Sequence, residues 1–223
     1  VFPELTVLQK SQGVWNTAMA KEGMIYAQDA SSYAFCQAIR TFLEGTILDV
    51  CSAPGGKGLQ LSQNYPVQFL LNDVSASRLK KVRQNLQRLN LAGYMLQSDG
   101  TKLPFPSRSM DGILLDVPCS STGTIRKSPD IKWVENLKSL LRQTELQEQL
   151  LKEAARVVRK GGWIAYSTCS LEPEETQLPL QLCEELGLKP IPWKELPGGI
   201  QETQKGFWQL LPSRHWMGFS AAI

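Results

Sequence analysis

Two cysteines stand at matching places in the chain. Asp116-Val117-Pro118-Cys119-Ser120 closes the apolar run Gly112–Asp116, and Ser167-Thr168-Cys169-Ser170 closes the run Trp163–Thr168. A lone cysteine is usually a small buried hydrophobe. Two at the ends of successive strands, one of them beside an acid, point instead to a thiol nucleophile with a second thiol and a carboxylate in reach, the equipment of covalent catalysis. A glycine turn joins them. Ile47–Val50 runs into Cys51-Ser52-Ala53-Pro54-Gly55-Gly56-Lys57, where glycines let the backbone approach a ligand and a helix N-terminus presents N–H groups. Asp73 falls 17 residues after Gly56, about where a carboxylate meets ribose hydroxyls, and Asp99, in Ser98-Asp99-Gly100, is where an acid can reach an adenine amino group. An adenosine-containing ligand is implied. The turn lacks both G-x-G-x-x-G and a phosphate loop ending in Gly-Lys-Ser/Thr, which argues against a dinucleotide and against ATP. An Asp-Gly pair is also a common turn, so for Asp99 both roles stay open.

The elements that must position these groups alternate. Ile47–Val50, Val67–Asn72, Tyr94–Gln97, Gly112–Asp116 and Trp163–Thr168 read as strands. A helix is expected from Leu59, another carries Leu79, Val82, Leu86 and Leu89 at helical spacing, and a long one runs from Leu137 to Val158 until Gly161-Gly162. A further helix is expected from about Glu174 to Leu186. Ser31 is the expected cap of a helix holding Phe35, Ala38, Ile39 and Phe42. Gly206–Leu211 and Met217–Ala222 read as a closing strand pair around Pro212-Ser213. Strands alternating with helices and then a strand pair predict one doubly wound α/β sheet of seven strands, mostly parallel, with helices on both faces. Residues 1–30 are expected to be a lead-in remnant of an upstream region and residues 31–223 the catalytic domain.

Bulk figures agree with a folded, non-membrane chain. There are 223 residues, 24 Lys+Arg against 21 Asp+Glu, and a net charge of +3. No apolar run exceeds four residues, far short of the about 20 that span a bilayer, and no secretory signal pattern opens the chain. Cys36, Cys51, Cys119, Cys169 and Cys183 are odd in number and include no C-x-x-C, so neither a disulfide framework nor a metal site is expected. Cys36, Cys51 and Cys183 are read as packing. A reduced, cytoplasmic setting and a monomer follow as expectations. From Val74 to Ser98 there is no acid, while Arg78, Lys80, Lys81, Arg83 and Arg88 share the stretch. A solvated helix face is the favoured reading over a phosphate-binding one.

Three motifs carry a family resemblance. Asp49 to Lys57 resembles the S-adenosylmethionine turn of the RNA cytosine-5 methyltransferases. Asp116 to Trp133 (Asp-Val-Pro-Cys-Ser-Ser-Thr-Gly-Thr-Ile-Arg-Lys-Ser-Pro-Asp-Ile-Lys-Trp) resembles their second signature, and Tyr166 to Glu175 their third. Gln28-Asp29-Ala30-Ser31 matches the front of their catalytic domain. The resemblance runs in order from about Glu22 to Ile223 and is nearest to the Sun/Fmu branch, which acts on bacterial small-subunit ribosomal RNA. It implies a Rossmann-like methyltransferase fold, with S-adenosylmethionine held by Cys51, Ser52, Ala53, Pro54, Gly55, Gly56, Lys57, Asp73, Asp99 and Asp116. It makes Cys169 the nucleophile that adds to C6 of a cytosine and Cys119 the group that assists product release. Asp116 would bond the N3/N4 edge of the base. Arg126, Lys127 and Lys132 would hold the RNA backbone, and Trp133 is either a base-stacking surface or a core aromatic. His215, near a chain end that matches the family only in part, is read as structural. The region that binds RNA in the family, ahead of Gln28, is expected to be absent or truncated.

Other readings are weaker. Amino-group and protein methyltransferases of this fold resemble N/D-P-P-Y/F at the fourth strand end, which Val117-Pro118-Cys119 does not match. A transfer RNA substrate, or a module that binds cofactor without turnover, are the alternatives kept.

Overall fold

The structure, a computed structural model, describes residues 13–63, 67–192, 201–204, 206–213 and 217–223. Its centre is a parallel array made of β1 (Thr46–Asp49), β2 (Gln68–Asp73), β3 (Tyr94–Gln97), β4 (Met110–Asp116) and β5 (Val158–Thr168). With β6 (Gln201–Gln204), β7 (Phe207–Leu210) and β8 (Phe219–Ala222) the sheet order is β3-β2-β1-β4-β5-β8-β7-β6. The pairs from β3 to β5 are parallel, and those from β5 to β6 antiparallel. The seven expected strands are therefore present in the expected topology, extended by β6 at the edge.

The helices are α1 (Ala18–Lys21), α2 (Ala30–Ile39), α3 (Gly56–Ser62), α4 (Ala76–Arg88), α5 (Ile131–Val134), α6 (Leu137–Val157), α7 (Pro173–Thr176) and α8 (Leu178–Glu185). Successive residues of a strand face opposite ways, so each central strand feeds two cores. On one face, Phe35 and Ile39 of α2, Leu59 of α3 and Val82 and Leu86 of α4 pack with Ile47, Leu71, Leu114 and Ala165. On the other, Leu150, Leu151 and Ala154 of α6 and Leu182 of α8 pack with Leu48, Ile113, Leu115 and Ile164. No described helix is long and apolar enough to cross a membrane.

Four details differ from the sequence reading. Helix α2 is capped by Asp29, whose carboxylate accepts the Ser31 N–H at 2.9 Å; Ser31 is itself inside the helix. Strand β5 begins at Val158, because a bulge between Met110 and Gly112 lets Met110 pair with Val158 ahead of Gly161-Gly162. The helix expected from Glu174 to Leu186 is two, α7 and α8, parted at Gln177 just ahead of Pro179, which has no N–H to continue a ladder. The basic stretch on α4 is partly used up internally. Arg78 pairs with Asp73 at 2.8 Å and Arg88 donates to the carbonyls of Ala20 and Ile25, while Lys80, Lys81 and Arg83 face solvent.

Asn72, fully buried, ties the carboxyl ends of three strands together. Its Nδ2 donates to Val50 O at 2.9 Å and Ser98 O at 3.2 Å, and its Oδ1 accepts the Ser98 N–H and O–H at 3.0 and 2.8 Å. Removing the amide strands buried backbone groups. Asn72→Ala should cost about 2–4 kcal/mol, read as a lower urea midpoint at unchanged m-value. A loss under about 0.5 kcal/mol would show that the strand ends do not depend on it.

Candidate active site

All the groups selected from strand ends lie at the carboxyl edge of the sheet. The turn after β1 needs a glycine at its hinge, since Gly55 has φ +106°, in the left-handed region, where it serves as the N-cap of α3. Below it, Asp49 is buried at the end of β1. Its carboxyl accepts the Gly58 N–H, and burial, then the charge of Asp116, pushes its pKa well above the usual carboxylate range. Asp49 Oδ1 and the buried Ser52 Oγ have no partner. Two orphaned polar atoms under a glycine turn suit a ligand rich in hydroxyl and amino groups. Asp73, buried at the end of β2, accepts from Ser75 N–H at 2.8 Å and from Arg78. Asp99 is exposed after β3. Its Oδ1 accepts the Thr101 N–H at 2.9 Å and O–H at 2.8 Å, and these bonds lower its pKa. Asp99 thus builds the turn that its Asp-Gly sequence also allowed.

Lys57 links this turn to the catalytic candidates. Its ammonium lies 2.6 Å from Asp116 Oδ2 and 5.2 Å from the centre of the Phe219 ring. Burial acts to lower the lysine pKa, but the charge and hydrogen bond of Asp116 outweigh it and the net direction is up. Asp116 Oδ1 accepts the Ser167 O–H at 2.8 Å. A carboxylate accepts about four hydrogen bonds, so Asp116 keeps capacity for a ligand.

Cys119 and Cys169 face each other with sulfurs 3.1 Å apart, and Ser121 Oγ stands 3.2 Å from Cys169 Sγ. The spacing is that of a hydrogen-bonded pair, well beyond the about 2.05 Å of a disulfide, and both thiols are free. Two thiols this close share one negative charge. The hydrogen bond from the Cys169 thiol pulls Cys119 down to about 7 against the opposing effect of burial. Cys169 is pushed up, because it is the proton donor to Cys119 and is buried beside that charge. The remaining cysteines behave as packing groups. Burial raises Cys36 and Cys51, and takes Cys183 up to about 11.

The residue that holds the two cysteine loops together carried no role in the sequence reading. Glu175, on α7, is fully buried. Its carboxylate accepts the Ser120 N–H at 2.9 Å, the Ser120 hydroxyl, and Gln147 Nε2 at 2.8 Å. Ser120 Oγ in turn is 3.0 Å from Ser170 Oγ, and Gln147 Nε2 also donates to Pro118 O at 2.8 Å. Each cysteine is thus followed by a serine pinned in one network. The signal available was the acid two residues after Pro173 in the third motif. Gly123 completes the clasp, donating to Cys169 O at 3.0 Å, where an added Cβ would come within 2.7 Å of that oxygen.

The basic candidates lie on the loop beyond Cys119. Arg126, Lys127 and Lys132 are all exposed, but Arg126 donates to the Ser213 carbonyl, which leaves the two lysines as the groups turned outward. Trp133 is 87% exposed, so its alternative reading as a core aromatic is overturned. His215 lies outside the described residues. A cleft of about 560 Å³ between α8 and the start of β5 is lined by none of the residues selected from sequence.

The family described as "16S rRNA methyltransferase RsmB/F" matches residues 37–222. The chain is 34% identical over 226 residues to a ribosomal RNA small subunit methyltransferase B of Escherichia coli, covering 94% of this chain and 52% of that protein. With the protein of that name from Shewanella oneidensis it shares 32% over 212 residues, 87% of this chain and 49% of the other. The chain therefore spans about half the length of these curated relatives. Among solved structures it is similar to NSun6 from Pyrococcus horikoshii with SFG, at 26% identity and a TM-score of 0.84 over 98% of this chain and 56% of that one. It is also similar to a methyltransferase homolog protein from the same organism, at 28% and 0.79 over 96% and 72%. The [4+2]-cyclase SpnF, at 16% and 0.53 over 77% and 62%, shares the fold alone.

The thiol pair makes a direct prediction. In the parent chain the pH dependence of Cys119 alkylation by iodoacetamide should have its midpoint at about 7. Because that value comes first from the hydrogen bond donated by Cys169, Cys169→Ala should move the midpoint up by at least about one unit. Peptide mass spectrometry separates the two cysteines, and an unmoved midpoint would show that the thiols do not share a proton.

Proposed function

The chain belongs to the 16S rRNA methyltransferase RsmB/F family, and from that premise we propose that it methylates C5 of a cytosine in small-subunit ribosomal RNA. The observation that carries the reading is the pair of thiols 3.1 Å apart beside Asp116. Methylation at carbon needs a nucleophile that adds to C6 and a group that takes the C5 proton, because cytosine C5 is too weak a nucleophile to take a methyl directly, and two thiols in contact can divide these tasks. The relatives' names give the RNA, and NSun6, solved with SFG, an analogue of S-adenosylmethionine, supports that methyl donor.

S-adenosylmethionine would supply the methyl group on a sulfonium. The turn from Cys51 to Lys57, with its orphaned Ser52 hydroxyl, together with Asp73, Asp99 and Asp116, would hold it. The remaining chemistry belongs to side chains of this chain. As the base arrives, extruded from its stack, the Cys169 proton passes to the Cys119 thiolate and Cys169 adds to C6, which makes C5 enamine-like. Asp116, fixed by Lys57 and Ser167, accepts from the amino group of the base and holds its N3/N4 edge in place. Once C5 carries the methyl, its proton must leave before the C6–sulfur bond can break. Cys119, returned to the thiolate by exchange with water, stands beside that position. Lys127, Lys132 and the exposed face of Trp133 would contact the RNA, with Arg126 joining if its bond to Ser213 opens. A ribosomal RNA substrate and thiols that must stay reduced support a cytoplasmic setting.

Transfer of labelled methyl to 16S ribosomal RNA, mapped by bisulfite sequencing, tests this. Cys169→Ala should abolish transfer, a loss of at least about 10³-fold. Cys119→Ala should instead accumulate a covalent protein–RNA band on a denaturing gel. Undiminished transfer by Cys169→Ala would remove the nucleophile assignment, and transfer RNA as the better acceptor would replace the substrate.

A further inference from the structure

Ser121 lies between the two cysteine loops in a conformation that residues with side chains seldom adopt. Its φ and ψ are 60° and 22°, the left-handed region, a strain that persists only where surrounding contacts impose it. Here they do. Its carbonyl accepts the Thr124 N–H at 2.8 Å and O–H at 2.9 Å, and two residues on, Gly123 N–H is bonded to Cys169 O. Ser121 is also the N-cap of the short 3-10 turn Thr122–Thr124, where a serine hydroxyl ordinarily accepts a backbone N–H; it makes no such bond. The hydroxyl oxygen lies instead at the thiols, accepting at 3.2 Å from the Cys169 S–H that also faces Cys119, and 3.9 Å from Cys119 Sγ. A strained backbone and a forgone cap are both explained if the hydroxyl is wanted at the sulfurs.

We propose that Ser121 is a third catalytic member of the thiol centre, whose O–H donates to Cys169 Sγ when the Cys169 proton moves to Cys119, so that the attacking thiolate is hydrogen-bonded as it forms. The proton count closes within the centre. The Cys169 S–H bond breaks, a Cys119 S–H bond forms, the single negative charge passes from one sulfur to the other, and Ser121 keeps its own proton. Hydrogen bonds to charged groups are the strong ones, and a donor at the sulfur favours the ionised form. The other groups facing the pair are Lys57 from α3, Asp116 from β4, Tyr166 and the Thr168 side chain from β5, Glu175 from α7 and the backbone N–H of Ser121 itself. None of them changes when the Ser121 hydroxyl is removed.

The proposal rests on Cys169 as the reacting thiol, and its test does not require RNA or turnover. Iodoacetamide labelling of Cys169 and Cys119 would be followed by peptide mass spectrometry across about pH 6 to 10 in the parent, Ser121→Gly and Ser121→Ala. Both variants should label Cys169 about tenfold more slowly at neutral pH, with Cys119 changed by less than about twofold. Ser121→Gly should melt no lower than the parent, because glycine takes this φ without strain. Parent-like labelling of Cys169 in Ser121→Gly would overturn the proposal. So would an equal slowing of both cysteines, which would mark a displaced loop rather than a lost hydrogen bond. A chain that labels as expected yet transfers no methyl to RNA would remove the proposed function and leave the role of Ser121 standing.

Discussion

The parallel pairing of β4 with β5, in the register that sets Asp116 opposite Ser167, is the constraint on which the site depends. Three residues past Asp116 and two past Ser167 the chain reaches Cys119 and Cys169, and only this register brings their sulfurs to 3.1 Å. A slip of one residue would turn every side chain of β4 to the opposite face. It would carry Asp116 away from both Lys57 and the Ser167 hydroxyl. The alternation that fills two cores, Ile113 and Leu115 toward one, Leu114 toward the other, is therefore also what fixes the chemistry.

Beyond the strand ends the two loops are held by polar contacts, which is costly in a buried place unless every group is matched. Glu175, Gln147, Ser120 and Ser170 match one another, and Tyr166 O–H adds bonds to Gln147 Oε1 and to the Glu175 carbonyl, each at 3.2 Å. The charges are arranged in the same spirit. Lys57 offsets Asp116, Arg78 offsets Asp73, and the thiol pair keeps a single negative charge. The result is a rigid edge with one mobile proton, on Cys169, and one site able to receive it.

Much of this was legible in the chain because strand ends, glycine turns and capping residues are local signals. Cys119, Cys169, Asp116 and the turn from Cys51 to Lys57 stand out by position alone as candidates that the structure brings to one edge, and the sheet that unites them follows from alternation. The family resemblance, carried by three long motifs, then supplied chemistry that spacing could not. What stayed hidden depends on contacts between distant segments. Asn72 reads as the polar end of a strand until three strand ends close around it. Glu175 reads as one acid among several in an acidic turn, and Ser121 as a loop serine, because neither a buried partner nor a positive φ is written in residue type. The misplaced cap at Ser31 reflects two residues separated only by Ala30, Asp29 and Ser31, with equal capping ability. The late start assigned to β5 reflects two glycines that a bulge allows the strand to pass.

The account stands or falls on which sulfur bonds to the base. Ribosomal RNA carrying 5-azacytidine in place of cytidine has no C5 proton to remove, so an added thiol cannot leave, and digestion of the trapped complex identifies the residue by mass. The account predicts a nucleotide adduct on the peptide bearing Cys169, with Cys119 unmodified. An adduct on Cys119, or on any other residue, would contradict it.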